Sequence, residues 1–195
     1  MLNYPLELSF KIATIGTRVR VTDAAGRQVA YLRKKKFRLK EDVRVYEDED
    51  QKRLLFRMRA DRVVDFGASY AVSGPDGQPL GAVRQRGVRS LWRSSYEVSD
   101  ANGKTIGVIH EENPFVKVLD SLAEALPFAD ALGGLFFNPA YLVDLGGETV
   151  LRMQKERSVF ESRFRLDRLA DISEAEEDLL LASLMMMLLL ERDRG

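Results

Sequence analysis

Along most of the chain, apolar and polar residues alternate in short runs broken by Gly-bearing turns, a period of two that predicts β-strands. Twelve such runs are present, near 5–15, 18–23, 28–37, 42–48, 52–60, 66–73, 78–86, 90–99, 104–111, 139–145, 148–155 and 159–167. Four hairpins repeat one pattern: an alternating apolar pair, a turn ending in Gly26, Gly77, Gly103 or Gly147, then apolar residues three and six positions later. Those later pairs are Val29 and Leu32, Leu80 and Val83, Ile106 and Ile109, and Val150 and Met153. Asp23, Asp100 and Asp144 stand three before their glycines, where a carboxylate can accept from backbone amides ahead of it and the glycine can take a positive φ. Residues three apart fall on opposite faces of a regular strand, so the repeat calls for one extra residue per hairpin. The intervening Ala30, Gly81, Gly107 and Leu151 are small in three cases of four and mark β-bulges, which bend a sheet towards closure.

Two stretches break this period. Asn113-Pro114 opens a helix, with Asn as cap and Pro at the first helical position, and Phe115, Val118, Leu119, Leu122 and Leu126 recur on one face until Pro127 stops it. Its other face, Lys117, Asp120, Ser121 and Glu124, is polar, so this helix lies on a surface, in an insertion (113–139) between the ninth and tenth strands. The second break is the end of the chain. Ser173 with Glu176 three residues on forms a capping box, and within 179–190 only Ser183 is polar. A helix over 173–192 with no polar stripe has to be covered by protein on every side. Its twelve-residue apolar run, at about 1.5 Å rise, spans roughly 18 Å against a hydrocarbon core of about 30 Å, so it is a core helix rather than a membrane span. No linker-like stretch divides the chain, which is read as one domain, 1–195.

Thirty Lys and Arg residues balance thirty Asp and Glu. No global positive field is therefore available to gather nucleic acid, and any anion binding has to come from a local patch. The absence of cysteine removes disulfides and Cys-based metal sites and fits a reducing compartment; with no basic-then-apolar leader at the start, a cytoplasmic protein is expected. His110 is the single histidine and reads as a solvent-facing strand residue; Ser94 and Ser95 near Trp92 have no evident base; the Gly-rich nucleotide loops are missing. Neither catalysis nor a cofactor nor a metal is expected. The strongest local charge feature runs from Arg33 to Lys40, with Lys34, Lys36, Arg38 and Lys40 on one strand face and Phe37 and Leu39 on the other. Cations about 7 Å apart along a strand suit phosphate oxygens. Lysines also guard strand faces against aggregation, and the acidic Glu47-Asp48-Glu49-Asp50 that follows favours this simpler role. Arg84, Arg86, Arg89 and Arg93 take the equivalent place after the second glycine.

A meander of V-x-D-x-x-G-x-x-V hairpins, the cluster Leu32-Arg33-Lys34-Lys35-Lys36-Phe37-Arg38-Leu39-Lys40 after the first of them, and a wholly apolar final helix resemble the tubby C-terminal-like superfamily, in particular its LURP-one-related and phospholipid scramblase-like branch. The resemblance implies a mainly β fold in which twelve antiparallel strands close into a barrel and the C-terminal helix threads its centre. It implies a non-enzymatic module presenting Lys34, Lys36, Arg38, Lys40, Arg84 and Arg86 to anionic phospholipid or phosphoinositide headgroups, peripheral to a membrane, or to a protein partner. Scramblase-like lipid transport is the alternative, opposed by a helix locked in a barrel; an apolar-ligand carrier is disfavoured because the helix fills the lumen. Scramblase-like members carry a calcium-binding segment near this helix, where Asp167, Asp171, Glu174, Glu176, Glu177 and Asp178 stand here, but the loop lacks the glycine and alternating oxygens that wrap a hard cation. In the insertion, Phe128, Leu132, Leu135, Phe136 and Phe137 surround Gly133-Gly134. With only Lys117 on the helix's polar face, a lid over one barrel mouth is expected rather than a membrane-dipping segment.

Overall fold

The computed structural model describes residues 1–13, 16–34, 42–64, 67–86, 95–112, 139–158 and 161–192. All twelve expected strands are there. The first six are β1 (Leu6–Ala13), β2 (Gly16–Thr22), β3 (Gln28–Lys34), β4 (Val43–Tyr46), β5 (Leu54–Val64) and β6 (Gly67–Ser73). The rest are β7 (Pro79–Gln85), β8 (Ser95–Asp100), β9 (Thr105–Glu111), β10 (Ala140–Leu145), β11 (Glu148–Glu156) and β12 (Ser162–Arg168). Each pairs antiparallel with its chain neighbours, and β12 pairs with β1, so the sheet closes into a barrel without a free edge. Odd strands therefore run towards one pole and even strands towards the other. Alternate residues point inward, and every strand contributes to one buried apolar cluster.

The bulges expected from the +3/+6 spacing are present in all four repeats, one position earlier than the small residues implied. Val21 pairs with Ala30 and Thr22 with Gln28, leaving Val29 as the extra residue. The same slip leaves out Leu80, Ile106 and Val150. With the +3 residue outside the ladder, the +4 and +6 residues regain a period of two and share the inner face: Ala30 with Leu32, Gly107 with Ile109, Leu151 with Met153. The +4 residue is small where neighbouring chain comes close. A Cβ on Gly107 would stand 2.4 Å from the Asp144 carbonyl oxygen, and one on Gly81 would stand 2.1 Å from that of Ser99 and 2.9 Å from Leu179. The turn carboxylates behave as expected in two hairpins: Asp23 accepts from the amides of Ala25 and Arg27, and Asp100 from those of Asn102 and Lys104, each at 2.9 Å. Asp144 does not. The β10–β11 turn is only Gly146-Gly147, too short to bring amides over the carboxylate, which instead accepts from the Thr149 hydroxyl at 2.7 Å and faces His110 at 2.8 Å.

The C-terminal helix, Glu174–Arg192, starts at the capping box read from the sequence. The Ser173 amide donates to Glu176 at 2.8 Å, and the Glu176 amide to the Ser173 hydroxyl at 3.3 Å. Every residue of 179–190 is at most 5% exposed, and Ser183 satisfies its hydroxyl within the helix by donating to the Leu179 carbonyl at 2.7 Å. The apolar residues of this run belong to the same cluster as the inward strand residues. Each end is tied to the sheet or its lead-in: the Leu2 amide donates to Glu177 at 2.8 Å, and the Tyr96 hydroxyl of β8 donates to Glu191 at 2.5 Å. The insertion helix expected at 114–126 lies outside the described residues.

Leu184→Ala should cost about 2–5 kcal/mol in denaturant titration, since it empties a fully buried site; a loss below about 1 kcal/mol would make the helix peripheral. Gly81→Ala and Gly103→Ala separate two costs. Both sit at positive φ, but only Gly81 has backbone and helix against it, so its substitution should be the more damaging by more than about 1 kcal/mol.

Candidate functional site

The residues singled out for anion binding meet different fates. Lys36, Arg38 and Lys40, with Phe37 and Leu39, lie outside the described residues, as do Arg89, Trp92, Arg93 and Ser94. Lys34 ends β3 with its backbone paired to Thr17. Arg84 and Arg86 are exposed on the outer face towards the end of β7, where Arg86 pairs with Glu97 of β8. Because β3 and β7 run in the same direction, their basic ends reach the same pole, as the stacking of hairpins implied.

At that pole the register assembles a set of cations that the one-dimensional sequence hides. Lys11 of β1 pairs with Arg18 of β2, and Arg18 pairs in turn with Arg33 of β3. Three strands thus carry three directly opposed cations on one exposed row, side chains about 4.5–5.5 Å apart at Cβ. Lys11 reaches Glu161 at 3.8 Å; Arg18 and Arg33 have no carboxylate partner among the described residues. Like charges in direct opposition destabilise a sheet, so the row is kept at a cost to the fold. Arg33 leads straight into Lys34 and the basic 35–40 run. Further round the barrel Arg44 and Arg57 are opposed as well, but Asp42 bridges them, 3.4 Å from Arg44 and 2.7 Å from Arg57. The Arg57 hydrogen bonds hold the Asp42 carboxyl below its ordinary range, and Arg152 does the same for Glu112.

The opposite pole is acidic. Its turns and the helix start carry Asp23, Glu47, Asp48, Glu49, Asp50, Asp76, Asp100, Asp171, Glu174 and Glu176, against Arg27, Lys52, Arg53, Lys104, Arg168 and the N-terminal ammonium. Among the described residues, a chain with no net charge gives a barrel with one basic and one acidic end.

His110 faces outward from β9, as expected, and is held by Asp144. The register also places Ser95 directly opposite His110, a neighbour that the sequence reading of Ser95 did not foresee. Both ring nitrogens are engaged elsewhere, Nε2 by Asp144 and Nδ1 at 3.1 Å from the Glu111 carbonyl oxygen. Burial opposes ionisation of Asp144, yet the bonds from Thr149 and His110 outweigh it and leave its carboxyl below the usual range. Among the described residues no cluster of three or more His, Asp or Glu is placed to hold a metal.

The sequence profile of the LURP-one-related family matches residues 29–166, from β3 through β12 and well over half of the chain. No curated protein matches the chain.

Acid should weaken the fold in a way that Asp42 partly controls. Its folded pKa lies below the ordinary aspartate value, so its stabilisation is complete above that ordinary value and is lost as pH falls through the lower folded one. Urea midpoints measured from about pH 6 down to about pH 2 should therefore decline, and decline less in Asp42→Asn. Parallel pH profiles would remove Asp42 from the acid response.

Proposed function

The chain belongs to the LURP-one-related family, and we propose that it is a non-enzymatic binding module whose basic pole docks on anionic phospholipid headgroups. One observation carries this reading: Lys11, Arg18 and Arg33 stand in a directly opposed row that costs stability and leaves two guanidinium groups without a carboxylate among the described residues. Such a row is suited to a ligand that supplies several negative oxygens at once, since charge-assisted bonds to phosphate from arginine are strong and geometrically specific. Lys34, Lys36, Arg38 and Lys40 follow Arg33 directly in the sequence, and Arg84 and Arg86 add to the same pole. The acidic far pole then orients the barrel, repelled from the surface that the basic pole approaches.

In this reading the C-terminal helix occupies the barrel lumen and makes the strands a rigid platform. Its burial on every face supports that placement. The site of action is the cytoplasmic face of a membrane, with the protein bound peripherally. Lipid transport of the scramblase-like kind would require the helix to leave its covering, and no helix among the described residues is long and apolar enough to cross a membrane.

Co-sedimentation with phosphatidylcholine vesicles, with and without phosphatidylserine, tests the proposal. Binding should require the anionic lipid and fade as salt shortens the screening length from about 10 Å at 0.1 M to about 3 Å at 1 M. Arg18→Glu/Arg33→Glu should lower the bound fraction by about tenfold while leaving the melting temperature nearly unchanged, because one like-charge pair replaces another while Lys11 gains an opposite charge across from it. Absence of binding at low salt, or equal binding by the variant, would refute it.

A further inference from the structure

At the acidic pole a surface pocket of about 520 Å³ lies between the first residues of the chain and the junction of β12 with the helix, lined by Leu2, Tyr4, Arg168, Leu169 and Asp171 among others. Met1 and Leu169 are the exposed large hydrophobic residues among the described ones, and both border this pocket. Apolar side chains left in water around one concavity mark a contact surface. The two cations on the wall are already engaged: Arg168 donates to the Ala170 carbonyl at 3.0 Å and to Asp171 at 2.7 Å, and the Met1 ammonium donates to Glu174 at 3.0 Å.

Behind Leu2 and Tyr4 lies Glu177, only 3% exposed. One of its oxygens accepts from the Leu2 amide, while Oε1 is buried without a hydrogen-bond partner. Unpaired buried carboxylate oxygens are costly. Asp171, Glu174, Glu177 and Asp178 here outnumber Arg168 and the Met1 ammonium; burial and then Glu177 push the Asp178 carboxyl above its ordinary range, with the ammonium opposing. Burial first and Glu177 second also push up the Tyr4 phenol. An arriving cation would offset the repulsion that Glu177 exerts on Asp178 and Tyr4, and the tyrosine ring in the wall adds an attractive face for it.

We propose that this pocket binds a lysine or arginine side chain flanked by an apolar residue, presented by a segment of a partner protein. The apolar neighbour covers Leu169 and Leu2, and the cationic head meets the field of Glu177, Asp178 and Asp171. Its volume falls within the usual range for small-molecule sites, roughly 300–1,000 Å³, which is room for a basic side chain and its apolar neighbour. A basic partner is the one that charge complementarity selects, because the acids around the pocket would repel an acidic segment. Lying at the pole opposite Lys11, Arg18 and Arg33, the site can be filled while the barrel rests on an anionic surface, which makes the protein an adaptor between the two.

Fluorescence anisotropy of labelled short peptides tests this: one alternating leucine and lysine, one leucine and glutamate, and one serine and lysine. The leucine–lysine peptide should bind best, the serine–lysine peptide about tenfold more weakly, and the leucine–glutamate peptide not at all. Leu169→Ser and Glu177→Gln should each weaken leucine–lysine binding by about fivefold or more, whereas Arg18→Glu/Arg33→Glu retains it and so separates this site from the membrane face. Leu169→Ser, at an exposed position, decides alone should Glu177→Gln not fold. Equal binding of the glutamate peptide, or binding unchanged by Leu169→Ser, overturns the proposal. So does self-association of the unliganded chain that Leu169→Ser abolishes, which would assign the pocket to a second copy.

Discussion

An α-helix that is apolar on every side is stable in water only where protein surrounds it, and the rest of this structure follows from that demand. The run 179–190 has no face to offer solvent, and its single hydroxyl, on Ser183, is returned to the helix's own backbone. A sheet that covers one side would leave the other wet, whereas a closed antiparallel barrel, which also removes its own edges, would cover all sides if the helix occupies its lumen as proposed. Closure in turn needs curvature. The four hairpins supply it by one device, an apolar residue left out of the ladder after each turn, so that the two residues beyond it face inward together. Gly81 shows the parts meeting: its missing side chain is the space in which β8 backbone and Leu179 of the helix come together.

The same topology sorts charge. An alternating barrel gathers the ends of its odd strands at one pole, and here the ends of β1, β3 and β7 are basic, while the short turns at the other pole carry aspartates that cap and shape them. Balanced composition therefore conceals a polar molecule. The balance of thirty basic and thirty acidic residues excludes a uniform positive field but says nothing about how the fold distributes it. The proposed function rests on the two ends being different, the basic one for a phosphate-bearing surface and the acidic one for a basic segment.

What was legible in the sequence was local. Strand period, Gly at positive φ and the Ser173–Glu176 box are each decided within a few residues, and all were found where expected. The bulge was recognised but displaced by one residue, because the +3/+6 spacing counts an extra residue without telling which one leaves the ladder. Asp144 was assigned the turn role of Asp23, whereas its partner His110 arrives from 34 residues away on a neighbouring strand. Long-range register explains the remaining differences too. Lys11 and Arg18 look like isolated charges until β1 and β2 are paired, and Arg86 looks unopposed until Glu97 is laid beside it. The signal that could have found the row was the alternation of cations on β1, β2 and β3, read through an antiparallel register rather than along the chain.

The central claim is that helix and barrel form one cooperative core, neither of which persists without the other. Native-state hydrogen exchange on the backbone amides of 180–189 addresses it most directly. The account predicts that these amides exchange only through global unfolding, with the same free energy and denaturant dependence as the central amides of β5, β7 and β8, the strands against which the helix packs. Exchange of the helix at lower free energy, while those strands stay protected, would show a barrel that stands without its helix and would contradict the account.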